Sequence, residues 1–200
     1  MERKVIIYTQ RVEEVKSYQE RRDCADQNIP RFLEACGYLP IPVSNVLRNP
    51  AELAERLQPS GIVLTGGNSL QKYGGNAPER DFTDHCLIEA ALENEIPIYG
   101  FCRGMQSILD YFGCRLENVP NHVAVRHQVH GMWGNFEVNS YHNQACMEIS
   151  ERLQIAAQTA DGVIEAVVSG EYQIMATMWH PERENPFADK DMRRVQEFFG

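Results

Sequence analysis

The sequence lacks any apolar run that approaches the roughly 18 residues of a membrane span. It also lacks an excess of basic residues, because 19 Lys and Arg stand against 28 Asp and Glu and the net charge is −9. General nucleic-acid binding is not expected, since it requires basic surface to displace counterions from phosphates. The short apolar stretch near Met1 is not followed by a signal-peptide cleavage pattern. We therefore expect a cytoplasmic protein without membrane partners.

The cysteines are scattered and include no C-x-x-C pair, which argues against a disulfide framework and a structural zinc site. They are Cys24, Cys36, Cys86, Cys102, Cys114 and Cys146. The six histidines likewise form no convincing set of metal ligands along the chain, so no metal or cofactor is expected. No repeat or Pro/Gly-rich linker divides the sequence, and one domain over residues 1–200 is predicted.

Three apolar runs are near-continuous rather than alternating, which is typical of strands buried on both faces of a parallel sheet. They span 5–9, 61–66 and 96–101. Helical patterns occur at 29–37, 50–57, 81–95 and 105–113, and a closing helix at 189–199. Alternation of strand and helix predicts an α/β domain with a mostly parallel central sheet. A hairpin within 126–143 and three short strands within 153–182 predict an antiparallel extension.

Cys102 lies between Gly100 and Gly104, directly after an apolar run and before a helical pattern. Such glycines allow backbone to approach where a Cβ would clash, as a nucleophile on a strained strand-to-helix turn requires. The helix N-terminus would lower the thiol pKa from its usual value of roughly 8.5. The alternative interpretation is a small buried hydrophobic residue, which needs neither glycine.

Two other segments also follow predicted strands. In "WHPERE", His180 and Glu182 would share one face of an extended segment that Pro181 keeps rigid, so the carboxylate could orient the imidazole. In "LTGGNS", the N–H of Gly67 is a candidate oxyanion donor, together with the N–H of Arg103 after the cysteine. A strand-end histidine and an ordinary turn are the simpler alternatives when each segment is taken alone.

Taken together and in order, "IVLTGGNS", "YGFCRGMQSI" and "MWHPERE" resemble the class I (triad) glutamine amidotransferase superfamily over roughly residues 60–182. The resemblance implies a flavodoxin-like three-layer fold. It also implies a catalytic triad of Cys102, His180 and Glu182 that hydrolyses the γ-amide of a glutamyl group. The oxyanion donors carry over to Gly67 and Arg103.

The segments "VNSYHNQA" (138–145) and "DGVIEAV" (161–167) resemble the branch of γ-glutamyl hydrolases that includes γ-glutamyl-γ-aminobutyrate hydrolase. The superfamily resemblance implies that Gln106 contacts the glutamyl moiety. The branch resemblance implies that Ser140, Tyr141 and His142 lie beside the glutamyl head group. A buried loop histidine with satisfied hydrogen bonds is the alternative for His142.

Residues 8–23 and 122–129 differ from the usual aminobutyrate hydrolase and look closer to hydrolases of γ-glutamyl-CDP-amidate. A substrate of that kind carries a diphosphate, and a guanidinium fork matches phosphate oxygens. The candidates for this contact are Arg11 and Arg126, with Arg21 and Arg22 left open. Surface ion pairs with neighbouring acidic residues are the alternative.

These patterns predict a cysteine-dependent hydrolase that releases glutamate from a small γ-glutamyl amide. A glutaminase subunit that supplies ammonia to a separate synthase would share the triad, so that partner stays open, as does a homodimer. A third alternative is a non-enzymatic stress sensor with an elbow cysteine. Such proteins commonly lack the His-x-Glu partner that this sequence has.

Overall fold

The computed structural model describes residues 3–200, which contain a seven-stranded sheet and three two-stranded ribbons. The strands are β1 Val5–Tyr8, β2 Arg11–Val15, β3 Glu20–Cys24, β4 Leu39–Pro42, β5 Gly61–Leu64, β6 Ile98–Phe101, β7 Glu117–Asn118, β8 Val123–Val129, β9 Phe136–Tyr141, β10 Gln144–Ala145, β11 Gln154–Gln158, β12 Ile164–Val168 and β13 Ile174–Thr177. The α-helices are α1 Asn28–Ala35, α2 Pro50–Leu57, α3 Pro78–Glu93, α4 Arg103–Tyr111 and α5 Asp189–Phe199. Short 3-10 helices span Gln71–Tyr73 and Pro181–Arg183. Among these described residues, none of the helices has both the length and the apolar character needed to span a bilayer.

The central sheet has the strand order β11-β12-β13-β6-β5-β1-β4. The five strands from β13 to β4 run parallel, and β12 and β11 extend the sheet antiparallel. The predicted mostly parallel sheet with an antiparallel extension is therefore confirmed. The parallel arrangement follows from the helical connections, which return the chain to the same end of the sheet after each of the first strands.

Side chains of the buried strands alternate between two apolar layers. On one face, Ile7 and Ile62 pack with residues of α2, α3 and α4, including Leu87 and Met105. On the other face, neighbouring strand residues pack with α1 and α5; they include Ile6, Val63, Phe32 and Val195. Both faces of the sheet are covered, which explains why the strand sequences are apolar at every position rather than at every second one. The predicted three-layer fold is confirmed.

The antiparallel ribbons lie outside this sheet. The predicted hairpin within 126–143 is present as the pair β8 and β9. A second ribbon, β2 paired with β3, was not predicted, because its sequence "RVEEV" and "ERRDC" is charged and exposed along much of its length. Strand β4 was also not predicted, since its sequence "LPIP" contains two prolines and lies at the edge of the sheet.

Helix α4 packs very closely on the sheet through two glycines. A Cβ added to Gly104 would lie 1.9 Å from the carbonyl oxygen of Leu64 in β5. A Cβ added to Gly100 would lie 2.7 Å from the backbone of Gly104. This contact requires glycine at both positions and fixes the first turn of α4 against β5 and β6.

Replacing Gly104 by alanine should destabilise the protein by about 2–3 kcal/mol or more, because the methyl group would overlap a backbone carbonyl that cannot rotate away. Gly170→Ala is the matched control, since a Cβ there meets only the flexible end of Gln154 at 3.2 Å. Urea unfolding of both variants measures the difference. Equal stability of the two variants would contradict the close packing described here.

Candidate active site

Three motif-bearing segments meet at one edge of the sheet. Gly66 and Gly67 follow β5, Cys102 follows β6, and His180 follows β13. These three strands are parallel neighbours, so their carboxyl ends lie side by side. In open α/β sheets this edge is where ligands bind.

Cys102 occupies a strained turn between β6 and α4. Its φ of 52° and ψ of −111° are sparsely populated for a residue with a side chain, and its N–H donates to the carbonyl of Thr177 at 2.8 Å. The side chain is buried, and the backbone N–H of Arg103 lies beside the sulfur and helps to lower the pKa of the thiol. The geometry is that of a nucleophile elbow, which presents the side chain at the end of the sheet.

His180 and Glu182 form a buried pair. Nδ1 of His180 lies 2.6 Å from Oε1 of Glu182, and Nε2 is buried without a well-aligned hydrogen-bond partner in the described chain. Asn139 of β9 fixes the backbone of His180 from both sides, accepting its N–H at 2.9 Å and donating to its carbonyl at 2.8 Å. The expected extended segment is wrong, because Pro181–Arg183 forms a 3-10 turn. That turn, rather than strand alternation, brings the carboxylate back to the imidazole.

Gly66 is the point where the cysteine and the imidazole meet. A Cβ added there would lie 2.8 Å from Cε1 of His180 and 3.5 Å from Cβ of Cys102. Both side chains therefore reach the same small volume, and any side chain at position 66 would push the imidazole away. The sequence analysis named Gly67 as an oxyanion donor, but it did not predict that Gly66 must lack a side chain for the cysteine and the imidazole to meet.

The cysteine and the imidazole change each other's pKa. Burial alone would raise the pKa of the Cys102 thiol, but the adjacent charge of His180 outweighs burial and holds the pKa below the usual value. Burial would lower the pKa of His180, whereas Cys102 and Glu182 raise it. Both shifts favour a thiolate and imidazolium pair at neutral pH, which is the reactive form of such a cysteine.

Four of the other cysteines have a raised thiol pKa, opposite to the shift at Cys102. Burial raises the pKa of Cys36 and of Cys146 to about 12. It also raises the pKa of Cys86 and Cys114. A thiol in this state is a poor nucleophile at neutral pH, so the environment of Cys102 is chemically different.

Arg80 of α3 fixes the loop that follows β5, a role the sequence analysis did not foresee. Its fully buried guanidinium donates to the carbonyl oxygens of Thr65 at 2.6 Å, of Gly66 at 3.1 Å and of Gly67. Burial and the nearby charge of Arg103 lower the pKa of Arg80 to about 9. Because C=O and N–H point in opposite directions across a trans peptide, the N–H of Gly67 points away from Arg80.

Arg103 contributes its backbone to the site and its side chain to the core. The guanidinium is buried and pairs with Asp84 and Asp81 of α3, and it donates to Ser107 at 3.0 Å. These contacts tie the first turn of α4 to α3. The side chain therefore anchors the elbow, while the N–H remains beside the sulfur of Cys102.

Of the residues predicted to lie beside the glutamyl group, three are buried and one is partly exposed. The Ser140 hydroxyl donates to the carbonyl of His122 at 2.6 Å, and the His142 ring lies 3.1 Å from Glu165, so both side chains face the interior. Nδ1 of His142 is buried without a hydrogen-bond partner in the described chain. Tyr141 is half-exposed and packs edge-on against the His180 ring at 5.6 Å. Gln106 is buried and donates to the carbonyl of Gln144 at 2.9 Å.

Most of the candidate phosphate-binding arginines are engaged in surface ion pairs. Arg126 pairs with Glu137 and Glu184 at 2.7 and 2.8 Å. Arg21 pairs with Glu14 and Glu79, and Arg22 pairs with Glu20. These contacts favour the surface ion-pair alternative for these three residues.

Arg11 differs from these three residues, because its side chain also lies against the glycine loop that follows β5. Its aliphatic carbons come within 2.8 Å of the position that a Cβ on Gly67 would take. The terminal nitrogen pairs with Glu13 at 2.6 Å, but Nε is buried without a hydrogen-bond partner in the described chain. Arg11 and Arg183 line a cavity of about 30 Å³ beside His180 and Glu182. That volume fits a water-sized group and not a nucleotide.

The fold and the site define a three-layer α/β protein with a cysteine elbow and a buried His–Glu pair at the carboxyl edge of its sheet. Residues 22–196 match the model of the family "Glutamine amidotransferase class-I". The chain belongs to this family, as the motifs predicted.

Two named relatives are similar to this chain in sequence. The chain is 32% identical to the γ-glutamyl-CDP-amidate hydrolase of Campylobacter jejuni, over 88% of this chain and 89% of that protein. It is 34% identical to the γ-glutamyl-γ-aminobutyrate hydrolase of Escherichia coli O157:H7, over 73% of each chain. Both relatives belong to the branch that the sequence resembles.

Solved structures support the fold. A protein from Thermoplasma acidophilum, assigned as one of the subunits of GMP synthase, superposes with a TM-score of 0.76, covering 100% of this chain and 94% of that one at 20% identity. A glutamine amidotransferase from Thermotoga maritima gives a TM-score of 0.67 at 17% identity, covering 98% of this chain and 84% of that one. At these identities the likeness concerns the fold alone.

Replacing His180 by glutamine should raise the pKa of Cys102, because it removes the charge that opposes burial. The thiolate is the species present above the pKa, so alkylation by iodoacetamide at pH 7 should slow at least about tenfold. Mass spectrometry of the Cys102 peptide as a function of pH measures this. His130→Gln, on an exposed histidine, is the control. An unchanged pH profile in the His180 variant would contradict the coupling.

Proposed function

We propose that this protein is a hydrolase that cleaves a γ-glutamyl amide through Cys102 and releases glutamate. The observation that carries the proposal is the meeting of a strained, low-pKa cysteine with the buried His180–Glu182 pair at Gly66. The names of the relatives add support, since the two described above are hydrolases of γ-glutamyl compounds.

The geometry supports a two-step mechanism. The Cys102 thiolate attacks the γ-carbonyl carbon, and the imidazolium of His180 gives its proton to the leaving nitrogen. The result is a thioester and a free amine or amidate. Water, deprotonated by neutral His180, then cleaves the thioester and releases glutamate. Glu182 holds Nδ1 of the imidazole throughout, so Nε2 carries the transferred proton.

The tetrahedral intermediates require donors for the oxyanion. We assign these to the backbone N–H groups of Arg103, which lies beside the sulfur, and of Gly67, whose peptide Arg80 orients. Because Arg80 holds the carbonyl of Gly66, the Gly67 donor is set before substrate binds. Such preorganisation removes the cost of turning the peptide during the reaction.

For the substrate, we propose a small γ-glutamyl amide linked to a nucleotide, such as γ-glutamyl-CDP-amidate. The support is the relative that bears this name, which matches along nearly its whole length, and the unpartnered Nε of Arg11 beside the oxyanion loop. The cavity beside His180 is small, so the nucleotide would lie outside it, along the β2–β3 ribbon that carries Arg11. Tyr141 and Gln106 remain candidates for the glutamyl side.

Hydrolysis of γ-glutamyl-γ-aminobutyrate is the second candidate, supported by the Escherichia coli relative. A glutaminase subunit would instead act on glutamine and be idle without its synthase. Assays of the isolated protein on glutamine, γ-glutamyl-γ-aminobutyrate and γ-glutamyl-CDP-amidate separate the three. Turnover of neither extended amide by the isolated protein, with or without turnover of glutamine, would contradict the proposed substrate class.

Replacing Cys102 by alanine should lower kcat by at least about a thousandfold and leave substrate binding measurable by calorimetry, because the thiol forms the bond and the rest of the site is unchanged. Cys86→Ala on α3 is the matched control and should retain activity. Retained turnover in the Cys102 variant would rule out the mechanism.

Replacing Arg11 by glutamine should raise KM for γ-glutamyl-CDP-amidate about tenfold, the effect of one charge-assisted hydrogen bond. It should change KM for γ-glutamyl-γ-aminobutyrate less than about twofold, because that substrate has no phosphate. Arg22→Gln, an exposed arginine paired with Glu20, is the control. Equal effects on both substrates would count against phosphate recognition by Arg11.

A further inference from the structure

Three histidines converge on one buried carboxylate away from Cys102. The Oε1 atom of Glu165, on β12, lies 3.2 Å from Nδ1 of His122, 3.3 Å from Nε2 of His127 and 3.1 Å from Nε2 of His142. Glu165 and His142 are fully buried, and His122 and His127 are buried or nearly so. The sequence analysis did not foresee this cluster, because its members lie on three separate segments.

Hydrogen bonding explains only part of this arrangement. His142 is aligned with Glu165 as a hydrogen-bond partner. Nδ1 of His122 and Nε2 of His127 are at hydrogen-bond distance from the same oxygen but are not aligned with it, and both are buried without a partner in the described chain. Oε2 of Glu165 is also buried and unpartnered. Buried polar atoms of this kind call for an additional binding partner.

Ligands of one metal ion have this geometry, because their lone pairs point at a common centre rather than at each other. In a tetrahedral zinc site with bonds of about 2.0–2.1 Å, ligand atoms lie roughly 3.3 Å apart. The ligand atoms of His122, His127 and Glu165 all lie within 4.8 Å of one another. We propose that these three side chains bind a divalent transition-metal ion, with zinc the best match to two imidazoles and one carboxylate and a fourth position left for water.

The surroundings of the cluster match those of metal ligands. Nε2 of His122, the ring nitrogen facing away from Glu165, lies 3.2 Å from Oδ2 of Asp161, and the Thr159 hydroxyl donates to the other oxygen of that carboxylate. A metal-bound histidine commonly passes its second N–H to a carboxylate in this way. His142 orients Glu165 from the opposite side. Both contacts fix the direction in which the ligand atoms point.

The charges also favour a cation. Glu165 is a fully buried carboxylate. In the described chain, each ion-pair partner of this carboxylate is an imidazole, without a lysine or arginine. A buried anion needs positive charge nearby, and a divalent ion would supply it.

A metal here would link separate segments of the chain. The ion would join His122, which precedes β8, and His127 in β8 to Glu165 in β12 of the central sheet. The adjoining strand β9 carries Asn139, which holds the backbone of His180. The ion would thus brace the ribbon that positions the imidazole, without contacting the substrate.

The test uses the Cys102→Ala protein, so that the reactive thiol cannot bind the metal. After chelator treatment and dialysis, titration with Zn²⁺ should show about one bound equivalent and raise Tm. Titration with Co²⁺ should give the visible absorption of a tetrahedral nitrogen and oxygen site without a thiolate band.

In this background, His127→Gln should weaken Zn²⁺ binding at least tenfold, and Asp161→Asn about tenfold. His130→Gln, an exposed histidine just beyond the same strand, should have no effect.

Absence of a bound equivalent, with Tm unaffected by Zn²⁺, would overturn the proposal and leave a protonated His122 as the partner of Glu165. Zn²⁺ binding that is equally strong in the His127→Gln variant would also overturn it, since the ion would then lie elsewhere. Circular dichroism of each variant shows that it is folded. Asp161 is largely exposed, so its substitution tests binding rather than folding even if the His127 variant is less stable.

Discussion

The close contact between the first turn of α4 and β5 is the constraint on which the site depends. With only hydrogen at Gly104, the helix backbone reaches the carbonyl of Leu64, and the chain must turn sharply at Cys102 to enter the helix. The positive φ of Cys102 is a consequence of this packing. The same turn directs the sulfur toward His180 and leaves the N–H of Arg103 beside it.

The charge of the buried His180 imidazole depends on the groups beside it. The imidazole of His180 is removed from water and lies between a thiol and a carboxylate, and those two groups stabilise its charge. Two buried arginines hold the backbone around these groups in position. Arg80 orients the loop after β5, and Arg103 ties α4 to the acids of α3. They hold backbone groups in place without facing a substrate themselves.

The sequence predicted the central parallel strands and the helices because local patterns specify them. Near-continuous apolar runs identified β1, β5 and β6, and the glycines around Cys102 identified the elbow. The β2–β3 ribbon and β4 were missed, since charged or proline-rich segments form strands only through their neighbours. The interior contacts of Ser140 and His142 could not be predicted, because the resemblance gave their positions and not the direction of their side chains.

By itself, the sequence determined the fold class, through the order of local strand and helix patterns along the chain. It also determined the elbow and the spacing of His180 and Glu182, because each of these depends on residues within one short segment. Only the tertiary structure decided which distant groups share a volume. It placed Arg80 under the glycine loop and brought His122 and His127 to Glu165, across segments that are far apart along the chain. The physical reason is that the sheet order, which local patterns do not encode, decides which side chains become neighbours.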